Sequence, residues 1–170
     1  MSDPRRLFDH DLALVLRPGV ETGDAELAQR ISEKAYTRAY RDVIGAVPRP
    51  ATEDYTDRVA AGGVWILEHV ERRVGTAVGV LVVEPAVDHL EIYSVAVLPS
   101  TQGRGFGKAL LAFAAELAAH EGLRELRLYT NRRMEKNVAL YRSAGFVATG
   151  ERPHPSRPGE FLVDMSKRLD

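Results

Sequence analysis

The sequence predicts an α+β fold, a mixed central sheet of about seven strands flanked by four helices. Three observations carry this expectation. Short apolar, β-branched runs and segments of helical spacing follow one another in the order β-α-α-β-β-β-α-β-α-β-β. The three strands in the middle are joined by turns too short for a crossover, so they must be antiparallel. A strand–helix–strand unit follows, and such a crossover makes its two strands parallel. At 170 residues, with no internal repeat, low-complexity tract or dividing linker, one domain with a sizeable core is expected.

Residues 1–10 are polar and expected to be loosely held. Leu12 to Leu16 is a short strand closed by Pro18-Gly19. Thr22 or Asp24 can cap a helix from Ala25 to about Ile44 that buries Leu27, Ile31 and Ala35 and stops at Gly45. Val47-Pro48-Arg49-Pro50 breaks the chain, and a second helix fits Thr52 to about Ala61, ahead of Gly62-Gly63. Trp65–Val70 and Val74–Val83 form a hairpin around Glu71-Arg72-Arg73, the second strand apolar enough to be buried on both faces. Leu90 to Leu98 is the next strand, ended by Pro99 because proline donates nothing to a ladder. A helix runs from Lys108 to Gly122 on the stripe Leu110, Phe113, Ala114 and Leu117. Glu125–Thr130 is a strand, and Met134–Ala144 a helix stopped by Gly145. Phe146-Val147 starts a strand, Glu151–Gly159 with its three prolines is a loop, and Phe161–Arg168 is the last strand.

Composition excludes several function classes. With 23 basic and 24 acidic residues and no run of one sign, nucleic acid and anionic membranes are not expected partners. The absence of cysteine removes disulfides, thiol nucleophiles and thiolate metal sites, and five scattered histidines lack zinc-enzyme spacing, so no metal is expected. There is no apolar leader or membrane-length apolar run, and a soluble cytoplasmic protein is the expectation.

The organising stretch is 89–121, where the strand leads through Gly103, Gly105 and Gly107 into the helix. Glycines let backbone N–H groups approach a ligand, the first amides of a helix have no internal partner, and the helix dipole is positive there. Arg104 and Lys108 add full charges, so the turn suits an anion and best a phosphate. The dinucleotide pattern G-x-G-x-x-G fails at Lys108, and the P-loop pattern fails at Gln102 and Ala109.

What remains, Gln102-x-x-Gly105-x-Gly107 between Val95-Ala96-Val97-Leu98-Pro99 and Ala109-Leu110-Leu111, resembles the [Q/R]-x-x-G-x-[G/A] turn of the GCN5-related N-acetyltransferases (GNAT). Asn137-x-Ala139-x-Tyr141, followed by Gly145-Phe146, resembles the second motif of that family, and the element order matches it over nearly the whole chain. The resemblance implies the acyl-CoA N-acyltransferase (GNAT) fold and acetyl-CoA as co-substrate. Gln102, Gly103, Arg104, Gly105, Phe106, Gly107 and Lys108 would hold its pyrophosphate, the backbone of Val95, Ala96 and Val97 would pair with its pantetheine arm, and Asn137 would also reach it.

The implied reaction is transfer of the acetyl group to a primary amine of a small molecule or peptide by direct attack. It needs a neutral amine and hence a base. Glu91 stands where histone-type members carry one, in Glu91-Ile92-x-x-x-x-Val97, and burial in a strand raises a carboxyl pKa. An ordinary strand glutamate paired with a neighbouring cation is the competing reading. Tyr141, one helical turn from Asn137, can protonate the leaving thiolate. Tyr36, Tyr40, Tyr93 and Asn131 are candidate acceptor-side residues. The tyrosine pair 36/40 is equally consistent with packing, and Asn131 with capping a turn. His69 and His89 read as structural or exposed, and His154 and Arg157 sit in the proline-rich loop. The alternative function is a non-catalytic CoA-binding or sensing module of the same fold. A homodimer is expected because final strands pair across subunits in this family. Neither the acceptor nor the acyl length is legible.

Overall fold

The computed structural model describes residues 5–9, 12–20 and 22–170. Among the described residues the strands are β1 (Arg5–Asp9), β2 (Leu12–Pro18), β3 (Val64–Glu71), β4 (Val74–Pro85), β5 (Leu90–Val97), β6 (Glu125–Asn131), β7 (Val147–Pro153) and β8 (Phe161–Arg168). The helices are α1 (Asp24–Ile44), α2 (Thr56–Ala60), α3 (Phe106–His120) and α4 (Glu135–Ser143). One mixed sheet takes the order β1-β2-β3-β4-β5-β6-β8-β7. The expected mixed sheet and four helices are thus present. The eighth strand is β1, which pairs antiparallel with β2, where loosely held chain is expected. The same expectation for residues 1–4 and 10 lies outside the described residues.

The chain divides into two compact units, Met1–Val82 with Ser94–Leu110 and Val83–Tyr93 with Leu111–Asp170. In the first, β2 and β3 pair antiparallel from Leu14↔His69 to Pro18↔Trp65, and β3 turns into β4 through Arg72 and Arg73. Both arginines take positive φ, 49° and 71°, the conformation a two-residue hairpin turn demands. Residues Val78 to Val82, with Leu16, Ile66 and Leu67, form the core of this unit.

Helix α1 ends as expected at Gly45, whose left-handed φ of 75° suits a residue without Cβ. Its start differs from the expectation. Gly23 occupies the N-cap position with no side-chain cap, and neither Thr22 nor Asp24 caps the helix. Asp24 is instead buried and bound through both oxygens by Arg17 of β2, at 2.9 and 3.0 Å. The same guanidinium donates to Glu68 of β3 at 2.7 Å, so one arginine ties the start of α1 to two strands. Helix α2 is shorter than expected: a 3-10 turn over Arg49–Ala51 precedes it, and Asp54 accepts the N–H of Thr56 at its start.

In the second unit the β5–β6 register is parallel at Leu90↔Leu126 and Glu91↔Arg127, and β8 lies antiparallel between β6 and β7. Strand β7 extends through Pro153, so Glu151–Pro153, expected as loop, is strand paired with β8. A proline is tolerated there because β7 is the last strand in the order, with an open edge. Helix α4 stops at Gly145 (φ 92°), and Lys167 of β8 donates to the Ala144 carbonyl at 2.8 Å, a cation at the negative end of the helix.

Replacing Arg17 with Met removes the guanidinium from a nearly buried carboxylate, and a broken buried pair costs about 3 kcal/mol. Urea unfolding should show that loss for Arg17→Met and partial recovery in Arg17→Met/Asp24→Leu. An unchanged midpoint in the single variant would contradict this account of how α1 is anchored.

Candidate functional site

In the first unit the site grows from the end of β5. Leu98 donates its N–H to Val78 of β4 at 2.8 Å, and the Ala96 carbonyl lies against Gly79 of β4. Backbone groups of successive strand residues point to alternate edges, so those of Val95 and Val97 face away from β4. Both of their carbonyls are held by side chains. Tyr36 of α1 donates its hydroxyl to Val95 at 2.6 Å, and Gln102 donates its amide to Val97 at 3.0 Å. The tyrosine hydroxyl also lies 2.9 Å from Ser94 Oγ; its single proton goes to Val95, so Ser94 is the donor in that pair.

Beneath lies a buried set of hydroxyls absent from the sequence reading. Tyr55 donates to the Pro50 carbonyl at 2.7 Å and lies 3.1 Å from Ser32. Burial pushes its phenol up to about 12. Tyr40 packs edge-on to Tyr36, ring centroids 5.8 Å apart. Tyr36 therefore braces the strand backbone, and Tyr40 is a buried packing partner in the same unit.

After Val97 the chain makes a 3-10 turn over Pro99–Thr101 and enters the glycines. Gly103 and Gly105 adopt φ of 78° and 85°, and a Cβ at either would meet nothing within 4 Å. Conformation, not crowding, thus requires glycine at both, and space remains around the turn. The Gly105 carbonyl accepts the first helical bond of α3, from Ala109 at 3.0 Å. The amides of Phe106, Gly107 and Lys108 precede that bond and are the orphan donors of the helix start. Lys108 is exposed. Arg104 is exposed too, with its guanidinium 5.1 Å from the Phe106 ring centroid. Phe106 itself is buried against His69 at 5.6 Å, so only its backbone can reach a ligand. The first unit thereby gathers the expected residues Tyr36, Tyr40, Val95, Ala96, Val97 and the whole run 102–108.

The second unit gathers the others. Glu91 is half-buried on β5, and burial raises its pKa against the opposing pull of His89; Glu84 and Asp164 add to the rise. Its shown partner is His89, Nε2 to Oε2 3.5 Å, rather than an arginine or lysine. Tyr93 is half-buried on the same strand. Asn137 and Tyr141 stand one turn apart on α4. The Asn137 amide reaches Thr130 at 3.5 Å, and the Tyr141 ring is buried, 6.1 Å from Phe146. Asn131 is buried with both ends of its amide engaged: its oxygen accepts the Arg133 N–H at 2.9 Å and its nitrogen donates to Glu160 at 3.0 Å. The Arg133 bond makes its side chain part of the turn after β6. His154 accepts the Ser156 N–H at Nδ1, and burial lowers its pKa. Among the described residues no cluster of potential metal ligands occurs.

The sequence profile described as the Acetyltransferase (GNAT) family matches residues 28–146. Over 112 residues the chain is 27% identical to N-acetyltransferase family 8 member 2 of Rattus norvegicus, covering 65% of this chain and 46% of that relative. The chain therefore spans less than half the length of that relative. Among solved structures, a GNAT-family protein from Desulfovibrio desulfuricans superposes with a TM-score of 0.73 at 24% identity, over 93% of this chain and all of the other. The Salmonella typhimurium protein yncA, solved with its cofactor acetyl-CoA, gives 0.69 at 22%, over 92% of this chain and 94% of the other. These superpositions show a shared fold.

Two measurements test the site's internal chemistry. Tyr36→Phe leaves the Val95 carbonyl without its side-chain donor, and an unsatisfied acceptor of this kind costs about 1–3 kcal/mol. A variant as stable as the parent would mean that the bond contributes nothing. For Glu91, a carboxyl raised above its unfolded value binds protons more tightly when folded. The stability it contributes is full below the ordinary value of 4.5 and is lost as pH rises through the folded pKa. Glu91→Gln should therefore gain on the parent in urea midpoint from pH 4 to pH 7; a gain on going down instead would reverse the assigned direction.

Proposed function

Because the chain belongs to the GNAT acetyltransferase family, we propose that it is an acetyl-CoA-dependent N-acetyltransferase acting on a primary amine of a small molecule or peptide. One observation carries the donor side: a turn held open by two left-handed glycines that presents the first amides of α3 beside Arg104 and Lys108. Those groups suit a pyrophosphate, since oriented N–H groups, a helix N-terminus and two cations all favour a compact anion. The acetyl-CoA bound to yncA in its solved structure supports the same choice of donor.

When bound, acetyl-CoA supplies the acyl group as an activated thioester. The chain's own residues do the rest. The edge of Val95–Val97 that faces away from β4 aligns the pantetheine arm as an added strand would be aligned. Glu91 takes the proton from the acceptor ammonium, and its raised pKa brings the carboxylate closer to that task. Tyr141 gives its phenolic proton to the departing sulfur and recovers one from solvent. Asn137, one turn away, steadies the donor. Tyr93 lies on the acceptor side.

The acceptor's further identity stays at the level of its amine. A homodimer and a cytoplasmic setting belong to the same proposal. No helix among the described residues is long and apolar enough to cross a membrane.

Calorimetry with acetyl-CoA and CoA should give saturable binding that Gly105→Val weakens at least about tenfold, roughly 1.4 kcal/mol. No binding by the parent at millimolar ligand would overturn the reading. With an amine drawn from a broad panel, Tyr141→Phe should lower kcat by about 100-fold and leave the KM for acetyl-CoA nearly unchanged. The reverse pattern would make Tyr141 a binding residue. Binding without thiol release for any amine would favour the sensing module instead.

A further inference from the structure

Glu91 ends one arm of a small chain of titratable groups at the entry to β5. The turn Pro85–Asp88 closes with the Ala86 N–H on the His89 carbonyl at 2.9 Å, which fixes His89 immediately before β5. His89 and Glu91 flank Leu90, the first residue of β5, and their side chains meet. The imidazole therefore lies between two carboxylates. Its Nδ1 is 2.6 Å from Asp88 Oδ1 and its Nε2 is 3.5 Å from Glu91 Oε2. Side-chain exposure is 66% at Asp88, 16% at His89 and 27% at Glu91. The outer carboxylate is thus in water while the imidazole is mostly covered. Arg127 faces Asp88 at 3.4 Å and Glu125 at 2.7 Å, while Glu84 and Asp164 act on Glu91.

The two contacts on the ring differ in kind. Asp88 is held below the usual carboxylate range chiefly by its hydrogen bond with His89, so it stays ionised and accepts from Nδ1–H. The neutral ring then carries its proton on Nδ1, and Nε2 is the lone-pair nitrogen turned toward Glu91. A base inside a fold must discharge its proton before it can act again, and the imidazole is the side chain suited to do so near neutral pH.

We propose that His89 is a relay through which Glu91 returns its proton to solvent, with Asp88 fixing the tautomer. The inference rests on Glu91 as the base. In the forward sense, the N–H bond of the acceptor ammonium breaks and an O–H forms on Glu91. That O–H then breaks as Nε2–H forms on His89. The resulting imidazolium gives its Nδ1 proton to Asp88, which releases it to water, and exchange with water restores the Nδ1–H form of the ring. No electron pair leaves the system and no co-reactant other than water is used. His89 acts through Glu91 and is a positioning residue for it.

The test compares His89→Ala, Asp88→Asn and Glu91→Gln by thiol release from acetyl-CoA with a primary amine that the parent acetylates, together with imidazole 15N spectra of the full chain. His89→Ala should lower kcat about tenfold, the range for groups that support another active group, with the KM for acetyl-CoA unchanged. Added imidazole should restore the rate in a concentration-dependent way. Asp88→Asn should shift the ring from the Nδ1–H tautomer toward a mixture, a readout independent of turnover. If Glu91→Gln lowers kcat but His89→Ala neither slows turnover nor responds to imidazole, the relay is wrong and the base stands. If Glu91→Gln leaves kcat and its pH profile unchanged, the base reading falls and takes the relay with it.

Discussion

The end of β5 must turn a backbone edge away from β4 and still satisfy the polar groups along it. Buried peptide groups without partners are expensive, so a strand that departs from ordinary pairing needs donors from elsewhere. Here Tyr36 supplies one to Val95 and Gln102 supplies the other to Val97. The first comes from a helix nearly sixty positions earlier and the second from the turn five positions later. The glycine turn can begin where it does because Gln102 closes back on the strand it follows. Helix α1 can reach Val95 because Arg17 fixes its first turn to β2 and β3.

The second unit meets a related demand with charge. A half-buried glutamate is tolerated on β5 because an imidazole lies beside it and a hydrated aspartate lies behind the imidazole. The C-terminal end of α4 is closed by a lysine ammonium from β8, and that holds in place the helix that carries Asn137 and Tyr141. In each case a candidate side chain stands on a regular element beside which a charged or titratable group is placed.

Local residue identity made part of this legible. Gly103 and Gly105 could be recognised because a left-handed backbone needs glycine whatever lies around it. The strand before the turn and the helix after it follow from periodicities of two and 3.6. The final strand, Phe161–Arg168, has the bounds its alternation predicts. Boundaries failed where a residue found a partner that periodicity does not show. Asp24 looks like a helix cap in sequence, yet it serves Arg17. Asp54 moved the start of α2 by taking the Thr56 N–H, and pairing with β8 turned the proline-containing 151–153 into strand.

By itself the sequence determined the fold class, the glycine turn ahead of α3 and the residue types able to move a proton, because each depends on chemistry within a few positions. Tertiary structure alone decided what those residues do to one another. It made Tyr36 a brace for the Val95 carbonyl, engaged Asn131 with Arg133 and Glu160, and placed His89, which reads as merely structural or exposed, between Asp88 and Glu91. A hydrogen bond depends on distance in space, which a sequence records only when its partners are neighbours along the chain. The stretch from His89 through Lys108 therefore announces its chemistry locally, while Tyr36, which holds the Val95 carbonyl, became identifiable only once the chain had folded.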